Sequence, residues 1–154
     1  MSIEAGQAAP ALKLPGDDGD IDLAALKGRK AVVYFYPKDD TPGCTTEAID
    51  FTARLADFAK TDTEVIGVSK DTAAKHGKFR AKHALGVKLA ADVEGTACEA
   101  WGVWIEKSLY GRKYMGIERA TFLVGRDGTV ARVWHNVKVK GHADEVLAAA
   151  QQLG

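Results

Sequence analysis

The sequence predicts an α/β protein in which a mixed central β-sheet lies between two layers of helices, as a three-layer sandwich. Residues 31–36, AVVYFY, form an unbroken β-branched and aromatic run, which is typical of a strand buried on both faces. Such runs alternate with helical patterns along the chain, and the last two predicted strands are joined by the turn Arg126-Asp127-Gly128. We therefore expect residues 31–36 to lie in the middle of the sheet.

A helix is predicted next, from Thr41 to about Lys60, because apolar residues recur there at three- and four-residue spacing. The Gly- and Asp-rich segment 14–20 is interpreted as a surface turn. The other predicted elements are a strand over 64–69, a helix over 72–85, a strand over 88–92, a short helix beginning at Thr96, strands over 120–125 and 129–135, and a helix over 141–154.

Length and charge limit the possible functions. The 154 residues suit one domain, 1–154, with a sizeable core. Lys plus Arg and Asp plus Glu balance at 21 each without forming a charged block, so neither a nucleic-acid nor a membrane partner is expected. The N-terminal residues lack the pattern of a signal peptide, which predicts a cytoplasmic protein. No cofactor or metal site is expected.

Cys44 is the leading candidate for a reactive group. Thr41 is of a preferred N-cap type and Pro42 suits the first helical position, so Cys44 becomes the third residue of the predicted helix. Free backbone N–H groups and the helix dipole favour a thiolate there. The competing interpretation is that Cys44 is a small core side chain.

Several motifs now carry a resemblance. YPKDDTPGCTTEA (36–48) and YGRKYMGIERATFLVGRDG (110–128), in this order, resemble segments of the peroxiredoxin Q branch of the peroxiredoxins, also called the bacterioferritin comigratory protein family. The resemblance covers nearly the whole chain. It implies a thioredoxin-like fold and a thiol-dependent peroxidase that reduces hydrogen peroxide and organic hydroperoxides through a cysteine sulfenic acid.

The resemblance also implies four residue roles. Cys44 would attack the peroxide, and Thr41 would hydrogen-bond to it. Arg119 would place a positive charge beside the thiolate and the leaving oxygen. Pro37 would shield the pocket from water. These roles suit a reaction in which charge moves from sulfur to oxygen.

The source of the second thiol stays open. A resolving cysteine often follows the reactive one by five residues in this branch, but that residue is Ile49 here, and the segment 72–85 contains no cysteine. Cys98 is the internal candidate, although we expect the strand before it to lie at a sheet edge, which would keep the two sulfurs apart. The alternative is a one-cysteine enzyme that is reduced by an external thiol such as thioredoxin, glutaredoxin or glutathione. A monomer is expected.

Three other functions also use a reactive cysteine and compete with this prediction. A thioredoxin-type thiol–disulfide oxidoreductase would need a Cys-x-x-Cys pair, which Cys44 lacks. A peroxide sensor needs the same reactive thiol and stays open. A cysteine hydrolase has no local signature here. The remaining chemistry-bearing side chains are interpreted as surface or packing residues, and they are His76, His83, His135, His142, Trp101 and Trp104.

Overall fold

The structure of the chain is a computed structural model that describes residues 3–154. Nine strands occur within these residues: β1 Lys13–Gly16, β2 Gly19–Asp22, β3 Lys30–Phe35, β4 Thr63–Ser69, β5 Lys88–Ala91, β6 Trp104–Leu109, β7 Arg112–Ile117, β8 Ala120–Val124 and β9 Val130–Trp134. Seven of them form one mixed sheet in the order β2-β1-β5-β4-β3-β8-β9, and β6 and β7 form a separate antiparallel hairpin.

Strand β3 lies inside the sheet, as its apolar run predicts. It pairs with β4 in parallel and with β8 antiparallel, and all six of its residues are buried. Alternate residues of β3 face different cores: Val32 and Tyr34 pack on one face, and Val33 and Phe35 on the other. The carboxyl end of β3 therefore lies between two apolar layers.

The helices cover the two faces of the sheet unequally. They are α1 Pro42–Ala53, α2 Leu55–Lys60, α3 Ala73–His83, α4 Thr96–Ala100 and α5 His142–Gln152, together with a 3₁₀ turn over Leu23–Leu26. Buried side chains of α1, α2, α3 and α5 pack in one core, while α4 and the 3₁₀ turn pack in the other. The predicted three-layer sandwich with a mixed sheet is confirmed.

The single helix predicted from Thr41 to Lys60 is instead two helices that meet at Arg54. The Arg54 N–H donates to the carbonyl of Phe51, three residues back. The carbonyl of Asp50, which would accept this N–H in a continuous helix, accepts the Arg54 guanidinium at 2.8 Å instead. A long side chain has thus replaced one backbone bond of the helical ladder.

Two hairpins differ from the sequence-based expectations. The segment 14–20 is not only a turn, since all of it except residues 17 and 18 belongs to β1 or β2, and β1 pairs with β5. Strand β5 is therefore an interior strand, and the expectation that it lies at an edge is wrong. The β6–β7 hairpin was not predicted, and it turns at Tyr110 and Gly111, which both have positive φ.

None of the helices in residues 3–154 has both the length and the apolar character needed to cross a membrane.

Candidate active site

A short loop leads from β3 into α1, and Cys44 lies in the first turn of this helix. Thr41 is extended, Pro42 is the first helical residue, and Cys44 is the third, as predicted. The first intrahelical bond of this turn joins the Thr45 N–H to the Thr41 carbonyl. The N–H groups of Gly43 and Cys44 precede that bond, so the positive end of the helix lies at the sulfur.

Thr41 is in the predicted cap position, but its side chain does not cap the helix. Its hydroxyl donates to the carbonyl of Lys38 at 2.8 Å, within the loop that precedes α1. The donated proton leaves the hydroxyl oxygen free to accept a hydrogen bond from another group. Pro37 lies earlier in the same loop, directly after Tyr36, and is exposed.

Cys44 is almost fully buried, with 1% of the residue exposed. It packs in the core between α1 and the sheet, together with Tyr34, Ala48 and Phe51. An apolar surrounding that excludes water strengthens every charge interaction with the sulfur. A partner charge placed here therefore acts more strongly than the same charge at the surface.

Arg119 supplies that charge. Its Nη2 donates to the Cys44 Sγ at 3.3 Å, and its Nη1 donates to Glu47 Oε1 at 2.7 Å. The fork of the guanidinium therefore spans both groups, which are presented from successive turns of α1. Sequence reasoning singled out Cys44 and Arg119, and the structure brings them together.

The backbone on both sides of Arg119 is firmly held. The N–H of Glu118 donates to the carbonyl of Val103, and the carbonyl of Arg119 accepts from the N–H of Val137. The Glu118 carboxylate also accepts the N–H of Asn136 at 2.8 Å. These bonds hold the short link between β7 and β8 against its neighbours. The backbone position from which the Arg119 side chain extends is therefore fixed.

Glu47 is the site residue that the sequence analysis did not identify. Only 1% of it is exposed, and its Oε2 has no hydrogen-bond partner within residues 3–154. Burial raises the pKa of its carboxyl group to about 7, although the charge of Arg119 opposes this shift. The available signal was a carboxylate on the otherwise apolar face of α1, three residues after Cys44 and one before Ala48.

Gly43 makes room for the guanidinium. A Cβ atom at this position would lie 3.2 Å from Arg119 Nη2, closer than an ordinary van der Waals contact. The absence of a side chain at Gly43 therefore lets the cation approach the helix beside Cys44.

Cys98 lies on the other side of the sheet. It is fully buried in the second core with Val33 and Phe35, whereas Cys44 belongs to the first. Burial, together with a hydrogen bond to Asp92, raises the pKa of its thiol far above the ordinary range. Both cysteines are free, and in this conformation the sheet separates them.

Two of the four histidines lie in the interior. His76 and His142 are buried, and His142 Nε2 lies 2.8 Å from the Thr121 hydroxyl. Trp101 is a core residue and Trp104 is partly buried, consistent with the packing roles that were expected. Within the described residues, no group of three or more His, Cys, Asp or Glu side chains could hold a metal ion.

The chain matches the sequence model of the AhpC/TSA family over residues 5–133. It is 49% identical over 154 residues to Peroxiredoxin Bcp of Bacillus subtilis, and the match covers 99% of this chain and 98% of that protein. The structure aligns with Peroxiredoxin Q of Xanthomonas campestris at a TM-score of 0.89 and 44% identity, covering 96% of both chains. A structure of the Xanthomonas campestris bacterioferritin comigratory protein, from work on its alkyl peroxide reduction activity, aligns at 0.89 and 43% identity over 96% of this chain and 98% of that chain.

These matches assign the molecule to a class, the thiol peroxidases with a thioredoxin-like fold. Within that class the chain belongs to the AhpC/TSA family, in the Bcp or peroxiredoxin Q branch. The resemblance found in the motifs around Cys44 and Arg119 is thereby confirmed.

Proposed function

We propose that this thiol peroxidase reduces hydrogen peroxide and alkyl hydroperoxides, with Cys44 as the attacking group. The observation that carries the proposal is the guanidinium of Arg119, which lies 3.3 Å from the Cys44 sulfur while Glu47 holds its other nitrogen. The alkyl peroxide activity studied in the Xanthomonas campestris relative supports the same substrate class for this chain.

The reaction requires one bond to form and one to break. The thiolate of Cys44 attacks the terminal oxygen of the peroxide, so that a sulfur–oxygen bond forms as the oxygen–oxygen bond breaks. The sulfur becomes a sulfenic acid, and the departing oxygen takes a proton to leave as water or an alcohol. Negative charge thus moves from sulfur to oxygen, and Arg119 can stabilise it at both places.

Thr41 and Pro37 are assigned supporting roles. The Thr41 hydroxyl donates to Lys38, so its oxygen can accept the proton of the terminal peroxide oxygen and orient that oxygen toward Cys44. Pro37 would shield the reacting groups from water, as the motif implies. Both roles follow from the motif, and the position of the loop is compatible with them.

An external thiol is our proposed reductant. One thiol displaces water from the sulfenic acid to give a mixed disulfide, and a second thiol releases Cys44 and the oxidised reductant. The position of Cys98 behind the sheet favours this route over an internal disulfide, which would require the two Cα atoms to come within about 7 Å. Thioredoxin, glutaredoxin and glutathione are candidate donors.

Three broader expectations belong to the same proposal. We propose that residues 1–154 act as one domain, because both cores pack on the same seven-stranded sheet. The monomeric state and the cytoplasmic location remain predictions from the sequence.

The intact mass of the protein after reaction with one equivalent of hydrogen peroxide tests the chemistry. Wild type, Cys44→Ser and Cys98→Ser would be compared in parallel. We expect wild type and Cys98→Ser to gain one oxygen, and Cys44→Ser to gain none.

Loss of two hydrogens in wild type but not in Cys98→Ser would show instead that Cys98 resolves Cys44. No rapid change in wild type would contradict the peroxidase chemistry. Repeated turnover with a supplied thiol separates a peroxidase from a sensor, since a sensor would react without sustained consumption of peroxide.

A further inference from the structure

The loop that carries Thr41 is held by a buried polar cluster that the reaction described above does not use. Asp39 lies between Pro37 and Thr41, and only 8% of it is exposed. Its carboxylate accepts from the Tyr36 hydroxyl at 2.6 Å, and its Oδ2 lies 2.7 Å from His76 Nδ1. One acidic side chain of this surface loop is therefore buried in the interior.

His76 is fully buried on α3, and both of its ring nitrogens face acceptors. Nε2 lies 2.9 Å from the carbonyl oxygen of Ala90 in β5, and Nδ1 faces the Asp39 carboxylate. A carbonyl oxygen can only accept, so Nε2 carries a proton, and a carboxylate at Nδ1 favours a second proton there. The two groups therefore form a buried pair of imidazolium and carboxylate.

The pKa of His76 is consistent with this state. Burial lowers it, but the hydrogen bond and the charge of Asp39 outweigh burial, so the pKa is raised above its usual value. Among the other titratable groups, the Tyr36 hydroxyl, directly after β3, lies 3.5 Å from Nδ1, and Asp71 after β4 and Asp17 in the β1–β2 turn are close enough for their charges to act on the ring.

The same loop is attached at two further points. The Asp39 N–H donates to Asp71 Oδ2 at 2.8 Å, and that oxygen also accepts from the Ser69 hydroxyl. The next residue, Asp40, has a left-handed φ of 61° and accepts from Lys82 on α3 at 2.8 Å. Left-handed backbone at a residue other than glycine persists only where its surroundings hold it.

We infer that His76 and Asp39 are positioning residues for the peroxidase, which clamp the loop over residues 37–41 so that the Thr41 hydroxyl stays in place for the peroxide. This inference rests on the role proposed for Thr41. The Asp39 carboxylate joins the loop to Tyr36, directly after β3, and to His76 on α3, and His76 in turn contacts Ala90 in β5. Neither Asp39 nor His76 is hydrogen-bonded to the reacting sulfur.

Loss of the clamp should slow the reaction of Cys44 with peroxide, and it should change the reaction of the thiol with other reagents much less. A displacement of a reacting group by about 1 Å can lower a rate by about 100-fold. We expect His76→Gln to slow oxidation of Cys44 by hydrogen peroxide by about 10- to 100-fold, measured by stopped-flow fluorescence. Alkylation of Cys44 by iodoacetamide, which does not need Thr41, should change by less than about 3-fold.

A double-variant comparison shows whether the effect passes through Thr41. Thr41→Val should slow oxidation, and His76→Gln added to it should cause no further loss beyond about 2-fold. Phe79→Leu, a packing change on the same helix, serves as the control for general destabilisation and should leave the oxidation rate unchanged. If His76→Gln does not fold, Asp39→Asn supplies the same test, because it keeps the shape of the side chain while removing its charge.

The pH profile provides a second readout. Because the clamp is charged only while His76 is protonated, the rate ratio of wild type to His76→Gln should be largest below the raised pKa of His76 and should fall as pH rises through it. A structural role alone would give a ratio independent of pH.

Three results would overturn the inference. An unchanged oxidation rate in both His76→Gln and Asp39→Asn, with Thr41→Val slowed, would show that His76 and Asp39 do not position Thr41. The role of Thr41 itself would stand. Losses from Thr41→Val and His76→Gln that multiply would show that the two act separately. An unchanged rate in Thr41→Val would remove both the role of Thr41 and the inference, while oxidation of Cys44 in wild type would still support the peroxidase.

Discussion

The guanidinium of Arg119 serves two groups at once, the Cys44 sulfur and the Glu47 carboxylate. The Glu47 carboxylate orients the guanidinium, but it also competes with the Cys44 sulfur for the positive charge of Arg119. The geometry of the fork matters here as much as the charge, because two parallel donors fix the direction of the side chain.

Arg119→Lys should therefore be severe although it keeps the positive charge. One ammonium cannot span the sulfur and the carboxylate in the same way, so we expect the rate of Cys44 oxidation to fall by about 100- to 1,000-fold. Stopped-flow measurement with hydrogen peroxide checks this result. Arg112→Lys on the exposed β6–β7 hairpin is the matched control, and a comparable loss in that variant would contradict the assignment.

The buried carboxyl group of Glu47 should make stability depend on pH. Its folded pKa of about 7 lies above the unfolded value of about 4.5, so the folded state binds more protons between these two values. The stability from this group is fully present below about pH 4.5 and is lost as pH rises through about 7. Wild type should thus lose up to about 3 kcal/mol relative to Glu47→Gln over this range.

Urea unfolding of both proteins at about pH 5 and about pH 8 measures the effect. Glu47→Gln should gain in relative stability at the higher pH. A difference between the two proteins that is constant with pH would show that Glu47 is ionised throughout.

At the scale of elements, the first turn of α1 combines a good helix start with a place for a cation. Pro42 and Thr41 set the helix start, and Gly43 leaves its surface open to the Arg119 guanidinium. Glycine is an unfavourable residue in a helix, so its presence here sacrifices some helix stability for close approach.

Gly43→Ala should separate these two effects. The added Cβ would displace the guanidinium, and we expect Cys44 oxidation to slow by about 5- to 50-fold while the free energy of unfolding stays level or rises by up to about 0.5 kcal/mol. Stopped-flow kinetics and urea unfolding of the same preparation test both parts. An unchanged oxidation rate would mean that the guanidinium can shift without loss of function.

Gly77→Ala in α3 is the matched control, because it makes the same substitution in a helix away from the Arg119 guanidinium. A Cβ there would meet its nearest neighbour, in Asp17, at 3.9 Å, which is ordinary contact. Because the position is inside a helix, the change should raise the free energy of unfolding by about 0.5 to 1 kcal/mol without altering the oxidation rate. A destabilised protein would contradict the interpretation that Gly77 has no packing role.

At the scale of the whole molecule, the sheet divides the two cysteines between different cores. Native protein should therefore react with iodoacetamide at Cys44 at least about 100-fold faster than at Cys98. Both thiols are buried, but the raised pKa keeps the Cys98 thiol neutral, whereas Arg119 donates to the Cys44 sulfur. Peptide mass analysis after timed labelling measures both rates. Equal labelling of the two residues in the folded protein would show that the second core opens readily.

The local pattern of the chain determined much of this molecule. Apolar runs located β3 and β4, and residue types around Cys44 located the start of α1, because strand burial and helix capping act over a few neighbouring residues. The motifs likewise singled out Arg119. What the pattern could not show was the break at Arg54, where a side chain replaced a backbone bond, or the hairpin of β6 and β7, which has little burial to mark it.

Only the tertiary structure decided which distant groups meet. Arg119 lies 75 residues from Cys44 along the chain, and its bond to the sulfur depends on β8 pairing with β3. The buried bond between Asp39 and His76 likewise joins groups 37 residues apart. A fully apolar strand such as β3 does not reveal which residues face which core. The placement of Cys44 and Cys98 in different cores is therefore visible only in the tertiary structure. Sequence spacing reports periodicity within an element, whereas the site arises from contacts between elements.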